Sequence, residues 1–116
     1  MRVQVTKNLD TSAYPDLTIG NIYRVLGIEA DDLRIINDEG LPYLYPPELF
    51  TVIDKNEPDE WIIEVGEDDE RYAYPPELNR VGFFEDFFDD NPQAILTFYQ
   101  YLGKQRTMYR SLPKAA

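Results

Sequence analysis

The chain predicts a mostly-β (α+β) fold, a small barrel of five to seven short strands with a C-terminal helical segment over Phe83–Gly103. Three observations carry that prediction. Short runs of strand-forming residues recur at roughly 8–12-residue spacing, separated by Gly, Asp and Pro turns. A seven-residue phrase, Tyr43-Leu44-Tyr45-Pro46-Pro47-Glu48-Leu49, returns 29 positions later as Tyr72-Ala73-Tyr74-Pro75-Pro76-Glu77-Leu78. In each copy two tyrosines alternate as one face of a strand does, and two prolines then stop the ladder. Finally, the four phenylalanines of Phe83-Phe84-Glu85-Asp86-Phe87-Phe88-Asp89-Asp90 fall within a ~140° arc of a helix, with the four acids opposite.

Element by element, Met1–Thr6 reads as a first strand with Val3 and Val5 on one face. Residues 7–20 form a connector with turn chemistry. The run Ile22–Ile28 is rich in strand formers, Asp31-Asp32 turns the chain, and Leu33–Ile36 returns. Asn37-Asp38-Glu39-Gly40 is a second turn, with Gly40 available for a positive φ. Leu41–Tyr45 follows as a short strand, Pro46–Leu49 as one helical turn and Phe50–Ile53 as a further strand. After an acidic connector, Trp61–Val65 and Arg71–Tyr74 read as a hairpin around Gly66–Glu70. Asn91 is placed to cap a helix with Pro92 at its first position. Ile95, Leu96, Phe98, Tyr99 and Leu102 share one face of that helix, up to Gly103 as its stop. The organisation expected is one domain over 1–116: a β-barrel core over 1–80, the helical segment over 81–103 and a basic tail over 104–116.

The stretch Leu17–Asp54 resembles small SH3-like barrel domains of bacterial and phage origin. It carries their strand ending near a glycine, meander, short helical turn and final strand over 38 of 116 residues. The resemblance implies an SH3-like barrel fold and no functional residue. The second Tyr-x-Tyr-Pro-Pro-Glu-Leu copy and the helical C-terminus are additions to that pattern.

Composition narrows function by exclusion. With no cysteine there is neither a disulfide nor a thiolate metal site, and with no histidine the usual general base near neutral pH is missing. No apolar run reaches membrane-span length, so the expected compartment is the cytoplasm. The charge is strongly negative, with 22 acidic against 11 basic residues. All the acids lie at or before Asp90, which gives residues 1–90 a net −15 and residues 91–116 a net +4. Such a body repels nucleic acid and anionic membranes and attracts basic protein surfaces.

No catalytic, cofactor-binding or metal-ligating residue is expected. The acidic runs lack the alternating ligands of a calcium loop, and nothing marks one carboxylate pair for hydrolysis. The function expected is a protein-binding or inhibitory module, of the immunity or anti-defence kind, that covers a basic surface of a partner protein. Its contact residues are the acids Glu67, Asp68, Asp69, Glu70, Glu85, Asp86, Asp89 and Asp90. An alternative site is an aromatic groove formed by Tyr43, Tyr45, Trp61, Tyr72 and Tyr74. Against it stands an architectural role, in which at least one tyrosine of each pair is buried. The alternative function is a structural or accessory subunit, acting through homo-oligomerisation or a larger assembly, whose basic tail Lys104–Lys114 docks on a neighbour's acidic body.

Overall fold

The computed structural model describes residues 1–111, and side chains as far as Gln105. The chain divides into two compact units, Met1–Pro75 and Pro76–Ala116. The division falls inside the second Tyr-Pro-Pro phrase, so its prolines end one unit and begin the next. The helical unit thus takes in residues 76–80, which the sequence had assigned to the β core.

The first unit is mostly β and antiparallel. Its strands are β1 (Arg2–Val5), β2 (Ile22–Glu29), β3 (Asp32–Ile36), β4 (Pro42–Tyr45), β5 (Phe50–Asp54), β6 (Ile62–Val65) and β7 (Arg71–Tyr74). They run in the order β4-β3-β2-β1-β5, with β7 joining β2 as a branch and β6 pairing β7. The strand β2 is the hub, because its first half (Ile22–Arg24) pairs β1 and its second half pairs β3. A bulge lies within the second half: Val25 and Gly27 on β2 oppose Ile35 and Arg34 on β3. The extra residue, Leu26, shifts the alternation by one, so Tyr23 and Val25 reach the core before it and Ile28 after it. Val3, Val25 and Ile35, each at most 1% exposed, centre that core.

Turns follow the local chemistry with one displacement. The β2–β3 hairpin turns on Ala30 and Asp31, both left-handed (φ 48° and 67°), rather than on Asp31-Asp32. Positive φ at both central positions is the type I′ geometry that matches strand twist, and Asp32 already pairs Glu29 in the ladder. Gly40 takes its expected positive φ of 80°. Gly27 is a glycine for another reason. The Tyr74 ring lies where a Cβ at residue 27 would stand, and the Ala73 carbonyl is 2.9 Å from the same point.

The second unit holds a 3₁₀ turn (Pro76–Leu78) and the helices α1 (Phe83–Phe88) and α2 (Pro92–Ser111). Phe83, Phe84 and Phe87 are buried as the amphipathic pattern requires, while Phe88 is 38% exposed. Edge-to-face contacts join Phe87 and Phe98 at 4.9 Å and Phe84 and Phe98 at 6.3 Å between ring centroids. Asn91 caps α2 through its side-chain oxygen, which accepts the N–H groups of Gln93 (3.0 Å) and Ala94 (3.1 Å). Two expectations are corrected. The buried face of α2 is Ala94, Phe98 and Tyr101, leaving Leu96 and Tyr99 more than half exposed. The helix also runs through Gly103 to Ser111. Gly103 shows no positive φ, and the residues after it include the good helix formers Lys104, Gln105 and Arg106. Of the basic tail, Lys104 lies 3.6 Å from Glu77 of the same unit. The Arg106 and Arg110 side chains and Lys114 lie outside the described residues.

The two glycines predict opposite outcomes for one substitution. Gly27→Ala drives a methyl into the Tyr74 ring and lowers stability by about 2–3 kcal/mol, as overpacking does. Gly103→Ala meets nothing within 4 Å and raises helix stability by about 1 kcal/mol. Chemical denaturation of the two variants beside the parent checks both signs.

Candidate functional site

The repeated phrase builds two corners of the same design. In each, the second tyrosine is buried (Tyr45 4%, Tyr74 5% exposed) and its hydroxyl meets a carboxylate. Tyr45 donates to Asp16 Oδ2 at 2.6 Å, and the Asn37 amide donates to that oxygen (3.1 Å) and to the Tyr45 hydroxyl (3.2 Å). The Asn37 oxygen accepts the N–H groups of Glu39 and Leu41, both at 3.0 Å, so one buried side chain closes the turn and holds the corner. Beside it Asp38 accepts the hydroxyls of Tyr23 and Thr18, each at 2.6 Å. The connector over residues 7–20 is tied to the sheet in this way.

At the second corner, Tyr74 donates to Glu29 Oε1 (3.0 Å) and accepts from Arg34 Nε (3.0 Å). Arg34 is 5% exposed and also donates to the Pro42 carbonyl (2.9 Å) and to Glu29 Oε1 (3.1 Å). Burial and the bond to Asp16 push the pKa of the Tyr45 hydroxyl up, and at Tyr74 burial outweighs the opposing pull of Arg34. Tyr23 is raised by burial and by Asp38.

The aromatic groove does not form. Tyr45, Trp61 and Tyr74 are in the interior, Tyr43 is 41% exposed and Tyr72 is half-buried. The physical reason is the alternation of the phrase itself, which turns its two tyrosines alike while only the second reaches the packed interior. The Tyr72 ring instead lies over Gly66, 2.8 Å from where a Cβ there would stand.

The exposed acids lie elsewhere. Residues 57–70 hold eight carboxylates and no Lys or Arg. Among the described residues Glu57 alone of these is ion-paired, bidentate to Arg71 at 2.9 and 3.0 Å, which lowers its pKa. Arg71 is fixed on its other side by backbone bonds with Asp31, at 3.0 Å to the carboxylate and 3.1 Å to the N–H. The hairpin tip runs over Glu67–Asp69, and Asp68 and Asp69 both adopt positive φ (57° and 60°). Glu67, Asp68 and Asp69 are exposed and Glu70 is half-buried beside Tyr72. Glu85, Asp86, Asp89 and Asp90 belong to the helical unit, where Asp86 pairs Arg80 at 2.9 Å.

Charge separates these two acidic groups. Residues 1–75 carry 17 acids and six bases, a net −11, whereas residues 76–116 carry five of each. Sequence reasoning placed the strand β6 but not its exposure. Ile62, Ile63 and Val65 are 40%, 55% and 65% exposed, on both faces of the strand. Their departure from apolar-polar alternation was the available signal. Among the described residues no three acidic side chains converge to hold a metal ion. Comparison with protein-family models, with curated proteins and with solved structures returns no significant match.

The corners make a prediction in alkali. A tyrosine whose folded pKa is raised above its unfolded 10.0 contributes stability that is fully present below that pH and lost as pH climbs past it. Following tyrosinate absorbance against circular dichroism should show exposed tyrosines ionising first and the corner tyrosines ionising with unfolding. Tyr74→Phe leaves Arg34 and Glu29 short of a partner and costs about 1–3 kcal/mol. Tyr43→Phe changes stability by no more than about 0.5 kcal/mol.

Proposed function

We propose that this protein is a small acidic binding module, not an enzyme, that covers a basic surface of a partner protein in the cytoplasm as immunity and anti-defence inhibitors do. The observation that carries the reading is the segment over residues 57–70, which runs into the tip of the β6–β7 hairpin with seven carboxylates free of cation partners among the described residues. Clustered like charges repel one another, and a cationic partner relieves that repulsion on contact. The net −11 of the β unit favours the Glu67–Glu70 group over the Glu85–Asp90 group, whose unit is neutral overall. We read the β unit as SH3-like in addition. That reading is supported by the β2-β3-β4 meander, the 3₁₀ turn Pro47–Leu49 and the return of β5 against β1.

The test is neutralisation group by group. Replacing Glu67, Asp68, Asp69 and Glu70 by their amides should slow association with the cationic partner purified from the host by about tenfold at low salt, and flatten its salt dependence. The same change at Glu85, Asp86, Asp89 and Asp90 should do less. Equal affinity and equal salt dependence in both sets would remove the basis of the proposal.

A further inference from the structure

Strand β6 is an open edge. It pairs β7 in the register Ile62↔Tyr74, Ile63↔Ala73, Glu64↔Tyr72, Val65↔Arg71 and, among the described residues, pairs nothing on its other side. The Gly66 N–H bonds the Glu70 carbonyl at 2.8 Å, which fixes the phase of the ladder. In an antiparallel pair the bonded positions alternate, so Glu64 and Ile62 face β7 and the N–H and C=O groups of Ile63 and Val65 point outward. Natural sheet edges are usually blunted by lysine, proline or a covering segment. This edge has none of the first two, and its Ile63 and Val65 side chains are more than half exposed.

We infer that β6 is the binding element, and that its occupant is a basic, extended segment of the partner that adds to the sheet as a further strand. The inference rests on the proposed function and specifies how the contact is made. Backbone groups of Ile63 and Val65 supply the ladder, and alternate apolar side chains of the incoming strand cover these two residues. Cationic side chains of that strand meet Glu64 on the opposite face and the acidic tip Glu67–Asp69 at the end. A second copy of this chain is a poor occupant. Antiparallel self-pairing would bring the tip of one hairpin to the Asp59–Glu60 end of the other, acid against acid.

The probe is a short peptide of alternating Lys and Val, used with the full chain. It should protect the amides of Ile63 and Val65 from hydrogen exchange. Methylating the peptide's alternate backbone nitrogens on the pairing edge should weaken it roughly tenfold or more, through lost ladder bonds at unchanged charge. Ile63→Pro removes an outward donor, which an edge tolerates, and should weaken the peptide similarly while keeping the parent's melting temperature. The methylated peptide provides the same test should that variant not fold. Absence of peptide binding, protection elsewhere, or equal binding by the methylated peptide overturns strand addition. Equal binding that is still lost on neutralising Glu67–Glu70 would leave the acidic-surface reading standing. Peptide pairing at β6 that ignores that neutralisation would overturn the acidic reading instead. Light scattering that shows a dimer abolished by Ile63→Pro would assign the edge to a second copy and overturn the basic occupant.

Discussion

The Tyr74 ring occupies the space that any side chain at residue 27 would need, and the attachment of the β6–β7 hairpin depends on that contact. The ladder between β2 and β7 consists of the pair Ile28↔Ala73, which is too little to hold a two-stranded ribbon by itself. The ring supplies apolar contact over Gly27, and its hydroxyl reaches the Arg34–Glu29 pair at 3.0 Å to each. Arg34 then carries the connection across β3 to the Pro42 carbonyl at the start of β4. A buried guanidinium is costly to leave unpaired, so the hydroxyl and the carboxylate are required together. The bidentate Glu57–Arg71 pair and the Asp31–Arg71 backbone bonds fix the outer part of the hairpin.

That arrangement explains how an apolar strand stays exposed without being loose. Trp61, immediately before β6, is 6% exposed and belongs to the core, whereas Ile62 to Val65 extend past it into solvent. The inner end of the hairpin is anchored and the outer end carries charge. In the binding mode inferred above, acidic residues on both sides of an apolar edge oppose pairing between like copies and leave the edge open to a cationic strand. In the function proposed above, binding draws on the same carboxylates that give the β unit its net −11.

Much of the fold was legible locally. The seven strands, the two Pro-Pro-Glu-Leu turns, the phenylalanine helix and the Asn91 cap each follow from residues within a few positions of one another. So does the burial of one tyrosine per phrase, because a large aromatic ending a short strand has few other places to go. Helix α2 departs from the local reading in two ways. Helix α2 passed through Gly103 because a single glycine costs a helix only about 1 kcal/mol when good formers follow it. Its buried face was misassigned because Leu96 and Tyr99 are as apolar as the residues that are buried, and periodicity alone did not rank them.

The sequence by itself determined the elements, their stops and the sign of the charge, since these depend on side-chain type and on neighbours along the chain. The tertiary structure alone decided which tyrosine meets which carboxylate, that Gly27 makes room for a ring 47 residues away in sequence, and that β2 bulges at Leu26. It also decided that β6, among the described residues, pairs on one side only. Whether a strand is covered or open is a property of what lies beside it, and no local pattern in Ile62-Ile63-Glu64-Val65 records which strands those are.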